Sequence, residues 1–396
     1  MNLPASVEFI INSLKKAGFE GFAVGGCVRD SLMGRIPEDW DICTSALPHE
    51  VEQVFKNEHL VETGLKHGTV TLVLDHIPYE ITTYRTEGEY KDFRRPETVT
   101  FVRNIKEDLS RRDFTVNAMA YNPEKGIVDL FEGQNDIENG VIRCVGEPEK
   151  RFSEDALRIL RGLRFASVLD FEIEEATAKA ILKLKGLLKN ISPERINVEF
   201  TKLLSGKKRQ KILVEFKEVF EEILPSPFEE NWENAVLKAM KTQDVKTCKS
   251  VLFYFLYKNP EKVREALRLL KSDNAITDFC VNFSRFYNLP LPKNLKEARK
   301  NVNLAGFDIY YAIIAFIGEE KILEMLNEIK EKKLCCFVSE LDIKGSDLIK
   351  LGFKGKGIGD AMKLLLEAVI SDEISNEKTE LLNYGKKLFE KGDLFE

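Results

Sequence analysis

Histidine and paired cysteine are scarce in this sequence, which narrows the metal and redox chemistry it could carry. None of the four histidines is followed by aspartate and none has HxxxH spacing; they are His49, His59, His67 and His76. A zinc or histidine–carboxylate hydrolase site therefore has little support, and we expect any metal to be held by carboxylates. The seven cysteines are odd in number, include no CxxC pair and have mostly apolar neighbours. We expect reduced thiols in the core.

Long apolar runs are also missing. The two longest, 251–257 and 309–317, fall far short of the roughly 20 residues that cross a bilayer, so we predict core helices and no membrane contact. Residues 1–19 lack the basic start, apolar block and cleavage site of a signal peptide. We therefore expect a cytoplasmic protein.

An excess of positive charge is absent too, because the net charge is −6. This excludes a globally basic nucleic-acid binder but leaves local phosphate-binding clusters open. A length of 396 residues predicts two to four compact units.

The residue pattern changes about a third of the way along the chain. Residues 1–145 mix helical patterns with short runs rich in β-branched and aromatic residues, whereas helical periodicity dominates from residue 152 onward. We predict an α+β fold, with a mixed-sheet head followed by an all-helical remainder. The predicted strands are 22–24, 40–43, 69–74, 79–84 and 99–102, with a turn at 76–78.

Two aspartates spaced D-x-D are the first candidates for chemistry. Asp39 and Asp41 flank Trp40 on a predicted strand, where alternating side chains place both carboxylates on one face. Two like charges held together require a cation, and Mg²⁺ suits a site completed by water and phosphate oxygens. Glu80, on the strand at 79–84, could reach the same metal. The alternatives are ordinary acids at a solvent-facing strand end and, for Glu80, at a sheet edge.

A glycine pair, Gly25 and Gly26, stands between a predicted strand and a predicted helix at 28–33. Such a turn lets the backbone approach a phosphate, and Arg29 adds a charged donor. A glycine turn alone is weak evidence. Joined to the D-x-D pair it describes a site for a metal-bound triphosphate.

Four stretches in order carry a family resemblance. They are GGCVRDSLMGRIPEDWDIC (25–43), RRDFTVNAMAYN (111–122), RFSEDALRILRGLRF (151–165) and ISPERINVEF (191–200). They resemble the motifs of class II tRNA nucleotidyltransferases, the bacterial CCA-adding enzymes of the DNA polymerase β-like superfamily. The match is strong over the first half of the chain. Beyond about residue 206 it is one of helical architecture, with a looser likeness at 342–382.

The resemblance implies a reaction in which the 3′-hydroxyl of an RNA attacks the α-phosphate of CTP or ATP and pyrophosphate leaves, assisted by two Mg²⁺ ions. It implies Asp39 and Asp41 as metal ligands. Glu80 is a candidate third catalytic acid on its strand position alone. Gly26, Arg29 and Arg112 would bind the nucleotide. The alternative for 111–113 is structural, with Asp113 capping a helix at 114–121 and the arginines solvated.

Asp155 and Arg158 are three residues apart on a predicted helix and so share one face. Cytosine and adenine carry an exocyclic amine beside a ring-nitrogen acceptor, which an acceptor-only and a donor-only side chain match, whereas uracil and guanine do not. Arg161 and Arg164 continue this helix, and the resemblance assigns both to nucleotide binding. The alternatives are a surface ion pair below a Ser153 cap and solvated arginines.

The resemblance also implies tRNA as partner, bound at its acceptor stem and elbow. Candidate contacts are the basic clusters around Lys207 and Lys208, at 293–300, and around Lys354 and Lys356, where glycines precede a predicted helix at 360–369. Each cluster alone is more often solvated surface, and only together do they predict a surface that binds tRNA through its phosphates. No partner protein is evident.

The predicted divisions are a catalytic head (1–145), a neck that selects the base (146–206), a body (207–310) and a tRNA-binding tail (311–396). A neck helix opens near 191–195, with Glu194, Arg195 and Glu199 structural. The charged segment 86–96 resembles the flexible loop of complete CCA-adding enzymes and favours CCA addition. An A-adding enzyme, a bacterial poly(A) polymerase and a non-catalytic RNA-binding module remain open.

Overall fold

The chain forms two compact units, described by a computed structural model that covers residues 1–61, 64–88 and 98–390. One unit comprises Met1–Phe228 with Leu269–Ser272, and the other comprises Glu229–Arg268 with Asp273–Glu396. Within the described ranges every strand belongs to the first unit, so the predicted α+β architecture is confirmed. Most of the predicted loop at 86–96 lies outside the described residues. The four-part division of the chain stays a prediction.

The first unit contains the strands of the described residues. They are β1 (Gly21–Val24), β2 (Ile42–Thr44), β3 (His59–Val61), β4 (Thr69–Leu74), β5 (Ile77–Thr83), β6 (Arg85–Glu87), β7 (Val99–Phe101), β8 (Met119–Asn122), β9 (Gly126–Asp129), β10 (Val141–Ile142) and β11 (Glu172–Ile173). Seven of them form the main sheet in the order β3-β4-β5-β2-β1-β8-β9. The sheet is mixed because β2 and β5 pair in parallel, whereas its other neighbouring strands are antiparallel.

The β4–β5 hairpin shows how local sequence sets the register. Asp75 and His76 both adopt positive φ, 51° and 64°, the conformation that a two-residue hairpin turn requires and that Asp tolerates. Leu74 therefore pairs with Ile77. The predicted turn at 76–78 is placed too late, since residues 77 and 78 already belong to β5.

The helices of the first unit pack around this sheet. They are α1 (Ala5–Lys16), α2 (Gly26–Leu32), α3 (Pro48–Val54), α4 (Ile105–Ser110), α5 (Gly133–Glu138), α6 (Pro148–Glu154), α7 (Leu157–Leu169), α8 (Glu175–Leu184), α9 (Pro193–Leu203), α10 (Arg209–Glu215) and α11 (Lys217–Ile223). Helix α1 places Val7, Ile10, Ile11 and Leu14 on one buried face, the spacing of an amphipathic helix. Each such side chain stabilises the fold by roughly 1.5–3 kcal/mol on full burial.

The second unit is built from helices in the described residues. They are α12 (Trp232–Ala239), α13 (Val245–Tyr257), α14 (Pro260–Leu269), α15 (Asn274–Phe286), α16 (Leu295–Ala305), α17 (Phe307–Ile317), α18 (Glu320–Glu331), α19 (Gly345–Lys350), α20 (Lys356–Ile370) and α21 (Lys378–Glu390). Cys335 and Cys336 pack into two different cores of this unit. Arg299 ties the segment down by donating from Nε and Nη2 to the Cys335 carbonyl at 3.1 and 2.6 Å.

Two predictions about burial can be compared with the structure. All seven cysteines are buried and free, as expected of core thiols. Along the described ranges no helix has both the length and the apolar composition needed to cross a membrane.

Two predicted elements of the head are wrong. The strand predicted at 40–43 begins only at Ile42, because aspartate disfavours strands and Asp39 and Trp40 have no ladder partner. The helix predicted at 114–121 is a 3₁₀ turn, Thr115–Asn117, followed by β8. Pairing of β8 with both β1 and β9 overrides the weak local preference for helix.

Candidate active site

The predicted strand–glycine–helix turn is present at the start of the candidate site. Gly25 has φ of 82° and its N–H donates to the Met119 carbonyl at 3.0 Å. A Cβ on Gly25 would lie 3.1 Å from Nη1 of Arg112, and one on Gly26 would lie 3.6 Å from Nη2 of Arg29. The glycine pair therefore leaves room for two guanidinium groups beside the backbone.

Arg29 projects from α2 and is held in place from two sides. Its Nε and Nη2 donate to the Asp30 carboxylate, each at 2.9 Å, and its Nη1 donates to Oδ1 of Asn117 at 2.6 Å. The side chain is 8% exposed, so its position is fixed in advance of any ligand. Asn117 was missed from the sequence, because its position depends on the 3₁₀ turn that replaces the predicted helix.

Asp39 and Asp41 lie in the extended segment that leads into β2. The Asp41 carbonyl accepts from the N–H of Val24 at 2.9 Å, which fixes Asp41 beside the C-terminal end of β1. The parallel β2–β5 register pairs Ile42 with Ile81, so Asp41 lies beside Glu80. The structure thus brings together the two aspartates and the third predicted acid.

The carboxylates of Asp39, Asp41 and Glu80 repel one another. Loss of hydration raises the pKa of the Asp41 carboxyl, Glu80 and then Asp39 raise it further, and Arg112 opposes them. Among the described residues neither aspartate carboxylate has a hydrogen-bond or ion-pair partner. Crowded carboxylates without a cation are a donor set that fits Mg²⁺.

No group of three or more His, Cys, Asp or Glu side chains in the described residues is arranged as a metal cage. A magnesium ion here would rest on Asp39 and Asp41 and be completed by water and phosphate oxygens, which is how Mg²⁺ is commonly bound beside nucleotides.

A buried aspartate that sequence reasoning missed organises the RRD stretch. Asp108 is 0% exposed and forms ion pairs with Arg111 at 2.8 Å and Arg112 at 3.3 Å. Burial alone would raise its pKa, but Arg112 and Arg111 outweigh burial and lower it. The alternative of solvated arginines is therefore wrong for this pair. Nε of Arg112 is buried with no hydrogen-bond partner in the described residues.

Asp113 does not cap an α-helix, since only the 3₁₀ turn Thr115–Asn117 follows it. Its carboxylate accepts from the Phe114 N–H at 2.9 Å and pairs with Arg161 at 2.6 Å. Burial would raise the pKa of Asp113, but Arg161 outweighs burial and brings it to about 2. The ion pair thereby holds the Arg161 side chain against Asp113.

Asp155 and Arg158 do not share a helical face as predicted. Helix α6 ends at Glu154, and Asp155 is extended, with φ of −132° and ψ of 103°. Its carboxylate accepts from the Leu157 N–H at 3.1 Å, because aspartate favours capping a helix start over continuing a helix. Ser153 is inside α6 and donates to the Glu149 carbonyl instead of capping.

The two side chains also have other partners. Asp155 pairs with Arg195 of α9 at 3.3 Å. Arg158 is 7% exposed and donates to Glu154 at 2.9 Å and to the Arg111 carbonyl at 3.0 Å. The structure therefore places both residues at the α6–α7 junction but does not pair them.

Arg164 and Phe165 form part of the opposite wall. Arg164 pairs with Glu199 of α9 at 2.5 Å, a contact across two helices that fits the predicted structural role of Glu199. Phe165 is 6% exposed. A cleft of about 410 Å³ lies here, lined by Gly26, Cys27, Arg29, Asp30, Arg35, Ile36, Glu38, Asp39, Asp41, Arg164, Phe165, Val168 and Leu169. The aspartate pair thus lines the same cleft as one glycine and three arginines, which are Gly26, Arg29, Arg35 and Arg164.

The candidate RNA contacts differ in their surroundings. Lys208 pairs with Glu172 at 2.8 Å, so its charge is already compensated. Lys207, Lys354 and Lys356 are exposed. Gly355, between the last two, has φ of 54° and precedes α20, which begins four residues before the predicted 360–369.

Comparison with known proteins identifies the family. Family models match at residues 21–143, described as a poly A polymerase head domain, at 170–226, an RNA- and SrmB-binding site of polymerase A, and at 240–384, tRNA nucleotidyltransferase domain 2. The chain is 37% identical to the CCA-adding enzyme of Enterococcus faecalis, over 97% of this chain and 96% of that one. The chain belongs to the CCA-adding enzyme family.

Other relatives of the CCA-adding family agree. The CCA-adding enzyme of Pediococcus pentosaceus is 38% identical over 96% of each chain. The crystal structure of the Bacillus stearothermophilus CCA-adding enzyme in complex with CTP superposes with a TM-score of 0.84 at 32% identity, covering 99% of each chain. Family membership identifies this chain as a nucleotidyltransferase, and the predicted resemblance is confirmed.

Proposed function

We propose that this protein adds C, C and A in turn to the 3′ end of tRNA, using CTP and ATP and releasing pyrophosphate. The observation that carries the proposal is the Asp39–Asp41 pair, whose carboxylates have no hydrogen-bond or ion-pair partner among the described residues and lie beside Glu80, at a cleft that also contains Arg29 and Arg164. This cleft occurs in a chain related over nearly its whole length to CCA-adding enzymes.

The chemistry is transfer of a nucleotidyl group. The RNA 3′-hydroxyl gives up its proton to solvent and its oxygen forms a bond to the α-phosphorus. The bond from that phosphorus to the bridging oxygen breaks, and pyrophosphate departs with the electron pair. Two Mg²⁺ ions would be held by Asp39 and Asp41, and such ions stabilise the charge on the attacking and leaving oxygens. Glu80 adds negative charge beside Asp41 and so strengthens the attraction for the metal.

The predicted nucleotide-binding residues divide the remaining work. Gly26 gives the phosphates access to backbone, and Arg29, Arg112, Arg161 and Arg164 donate to them, each guanidinium being oriented by its own acid or backbone partner. Asp155 and Arg158 read the Watson–Crick edge of the incoming base. Because each has a different partner in the structure, base recognition requires both to exchange partners.

We place tRNA along the helical part of the chain, in contact through acceptor stem and elbow. Lys207, Lys354 and Lys356 supply phosphate contacts, with Lys208 a weaker candidate because Glu172 pairs with it. We propose that the chain divides into a catalytic head (1–145), a neck that selects the base (146–206), a body (207–310) and a tRNA-binding tail (311–396). We assign the protein to the cytoplasm, where tRNA is its substrate.

The deciding experiment is incorporation of labelled CTP, ATP, UTP and GTP onto three tRNA transcripts that end before CCA, after C and after CC. We expect ordered C, C and A addition to the shortest transcript, and loss of all addition in the double variant Asp39→Ala with Asp41→Ala. ATP use on the CC-ending transcript alone would instead identify an A-adding enzyme. Long A tails would identify a poly(A) polymerase.

A further inference from the structure

Three arginines from two elements surround one aromatic ring in the wall of the cleft. The guanidinium carbon of Arg164 lies 3.9 Å from the centroid of Phe165, and those of Arg29 and Arg161 each lie 5.3 Å away. A guanidinium within about 6 Å of a ring face is attracted by the ring's quadrupole. Phe165 is thus the contact that the three arginines have in common.

The ring is itself held firmly. Phe165 is 6% exposed and packs edge-on against Phe114, with centroids 5.9 Å apart and an interplanar angle of 76°. Phe114 is 0% exposed, and a Cβ at Gly162 would lie 3.0 Å from its ring. A close-packed ring of this kind gives the arginines a fixed support.

In the described part of the chain each arginine also has one carboxylate within ion-pair distance. The partner of Arg29 is Asp30, that of Arg161 is Asp113 and that of Arg164 is Glu199. A second carboxylate on each cation would hold it more firmly, but it would add net negative charge and repel a phosphate. A phenyl ring attracts cations without adding net charge and occupies none of their N–H donors.

We propose that Phe165 is a positioning residue for the polyphosphate of the substrate: its ring keeps the guanidinium groups of Arg29, Arg161 and Arg164 together beside the cleft while the N–H donors that their carboxylates do not use stay available to phosphate oxygens. The proposal rests on the proposed function for the nature of the ligand. It adds to that function a residue that touches no phosphate itself.

The test uses inorganic tripolyphosphate, which has no base or sugar, titrated calorimetrically into the full-length protein in EDTA. Phe165→Leu removes the ring but keeps an apolar side chain, and we expect binding about tenfold weaker, the size of one to two lost cation–π contacts. Phe165→Tyr keeps the ring and is the matched variant, with affinity within about twofold of wild type. Equal affinity in wild type and a folded Phe165→Leu protein would overturn the proposal.

Two further measurements separate positioning from a general packing defect. Arg164→Gln should weaken tripolyphosphate binding strongly in the wild type and much less in the Phe165→Leu background, since the ring acts through the arginine. In nucleotide addition, Phe165→Leu should raise KM for both CTP and ATP with kcat within about twofold. Additive losses from Arg164→Gln and Phe165→Leu would count against the proposal. If Phe165→Leu does not fold, Phe165→Met replaces it, because methionine fills irregular space.

The outcome is distinguishable from failure of the proposed function. A wild-type protein that binds tripolyphosphate through Phe165 but adds no nucleotide to any tRNA transcript would refute CCA addition and leave the role of Phe165 standing. Normal CCA addition together with unchanged tripolyphosphate binding in Phe165→Leu would refute the role of Phe165 and leave CCA addition standing.

Discussion

Asp41 lies beside Glu80 across the parallel junction of β2 and β5, where Ile42 pairs with Ile81. Strand positions 39 residues apart in sequence thus bring acids together at one end of these interior strands, and the pKa of Asp41 is raised by lost hydration and by Glu80. A carboxyl whose pKa is raised in the folded state destabilises that state as the pH rises and the group ionises. Repulsion among these carboxylates therefore destabilises the site until a cation binds.

Removing one of these charges should separate stability from activity. Asp41→Asn relieves the repulsion, so without Mg²⁺ we expect a melting temperature equal to or above that of wild type, while nucleotide addition falls by roughly a thousandfold or more. Mg²⁺ should raise the melting temperature of the wild type and not of the variant. Asp75→Asn, in the exposed hairpin turn, is the matched control and should behave as wild type. An equal Mg²⁺ effect in Asp41→Asn would show that the metal binds elsewhere.

Asp155→Asn should relax base selection. Asparagine offers a donor as well as an acceptor, so the mismatch with uracil and guanine is lost, and we expect the ratio of kcat/KM for CTP over UTP to fall by about 10- to 100-fold. Asp170→Asn at the other end of α7 is the control, because Asp170 has φ of 68°, which asparagine tolerates. Unchanged selectivity in Asp155→Asn would remove this residue from base recognition.

Acid should destabilise the head through Asp113. Its pKa is depressed to about 2, so its contribution to stability is fully present above the unfolded value and is lost as the pH falls from about 4 toward 2. The shift corresponds to about 2 kcal/mol. Denaturant unfolding followed by tryptophan fluorescence should show a steeper loss in wild type than in Asp113→Asn between pH 5 and pH 2. Parallel curves for the two proteins would contradict this.

Charge reversal on the second unit should weaken tRNA binding in a salt-dependent way. For Lys354→Glu with Lys356→Glu we expect about tenfold or more loss of affinity and a smaller slope of log affinity against log salt, by about two. Lys208→Gln should change affinity less than twofold, because Glu172 already pairs with Lys208. The prediction fails if the double variant binds tRNA with wild-type affinity and slope.

Sequence reasoning succeeded where structure depends on neighbours in the chain. Strand β4 has the predicted bounds, since alternating apolar residues are followed by a local turn. The glycine turn after β1 and the start of α9 near Ser192 were also predicted correctly. These features need no knowledge of distant partners.

The failures depend on long-range contacts. Residues 119–122 form a strand because β1 and β9 pair with them, which no local pattern reveals. Asp108 looks like an ordinary acid in α4 until two arginines converge on it. Asp155 reads as a helical residue because EDALR suits a helix, yet its side chain caps the next helix.

The pairing of β1 with β8 has a consequence for how the protein is made. Ala23 pairs with Tyr121 and the Gly25 N–H donates to Met119, so the glycine turn and the aspartate segment after it cannot be fixed until about 120 residues have left the ribosome. Contacts this distant in sequence form slowly. The site beside the ends of β1 and β2 is thus completed by β8 and β9, the last strands of the main sheet to be synthesised.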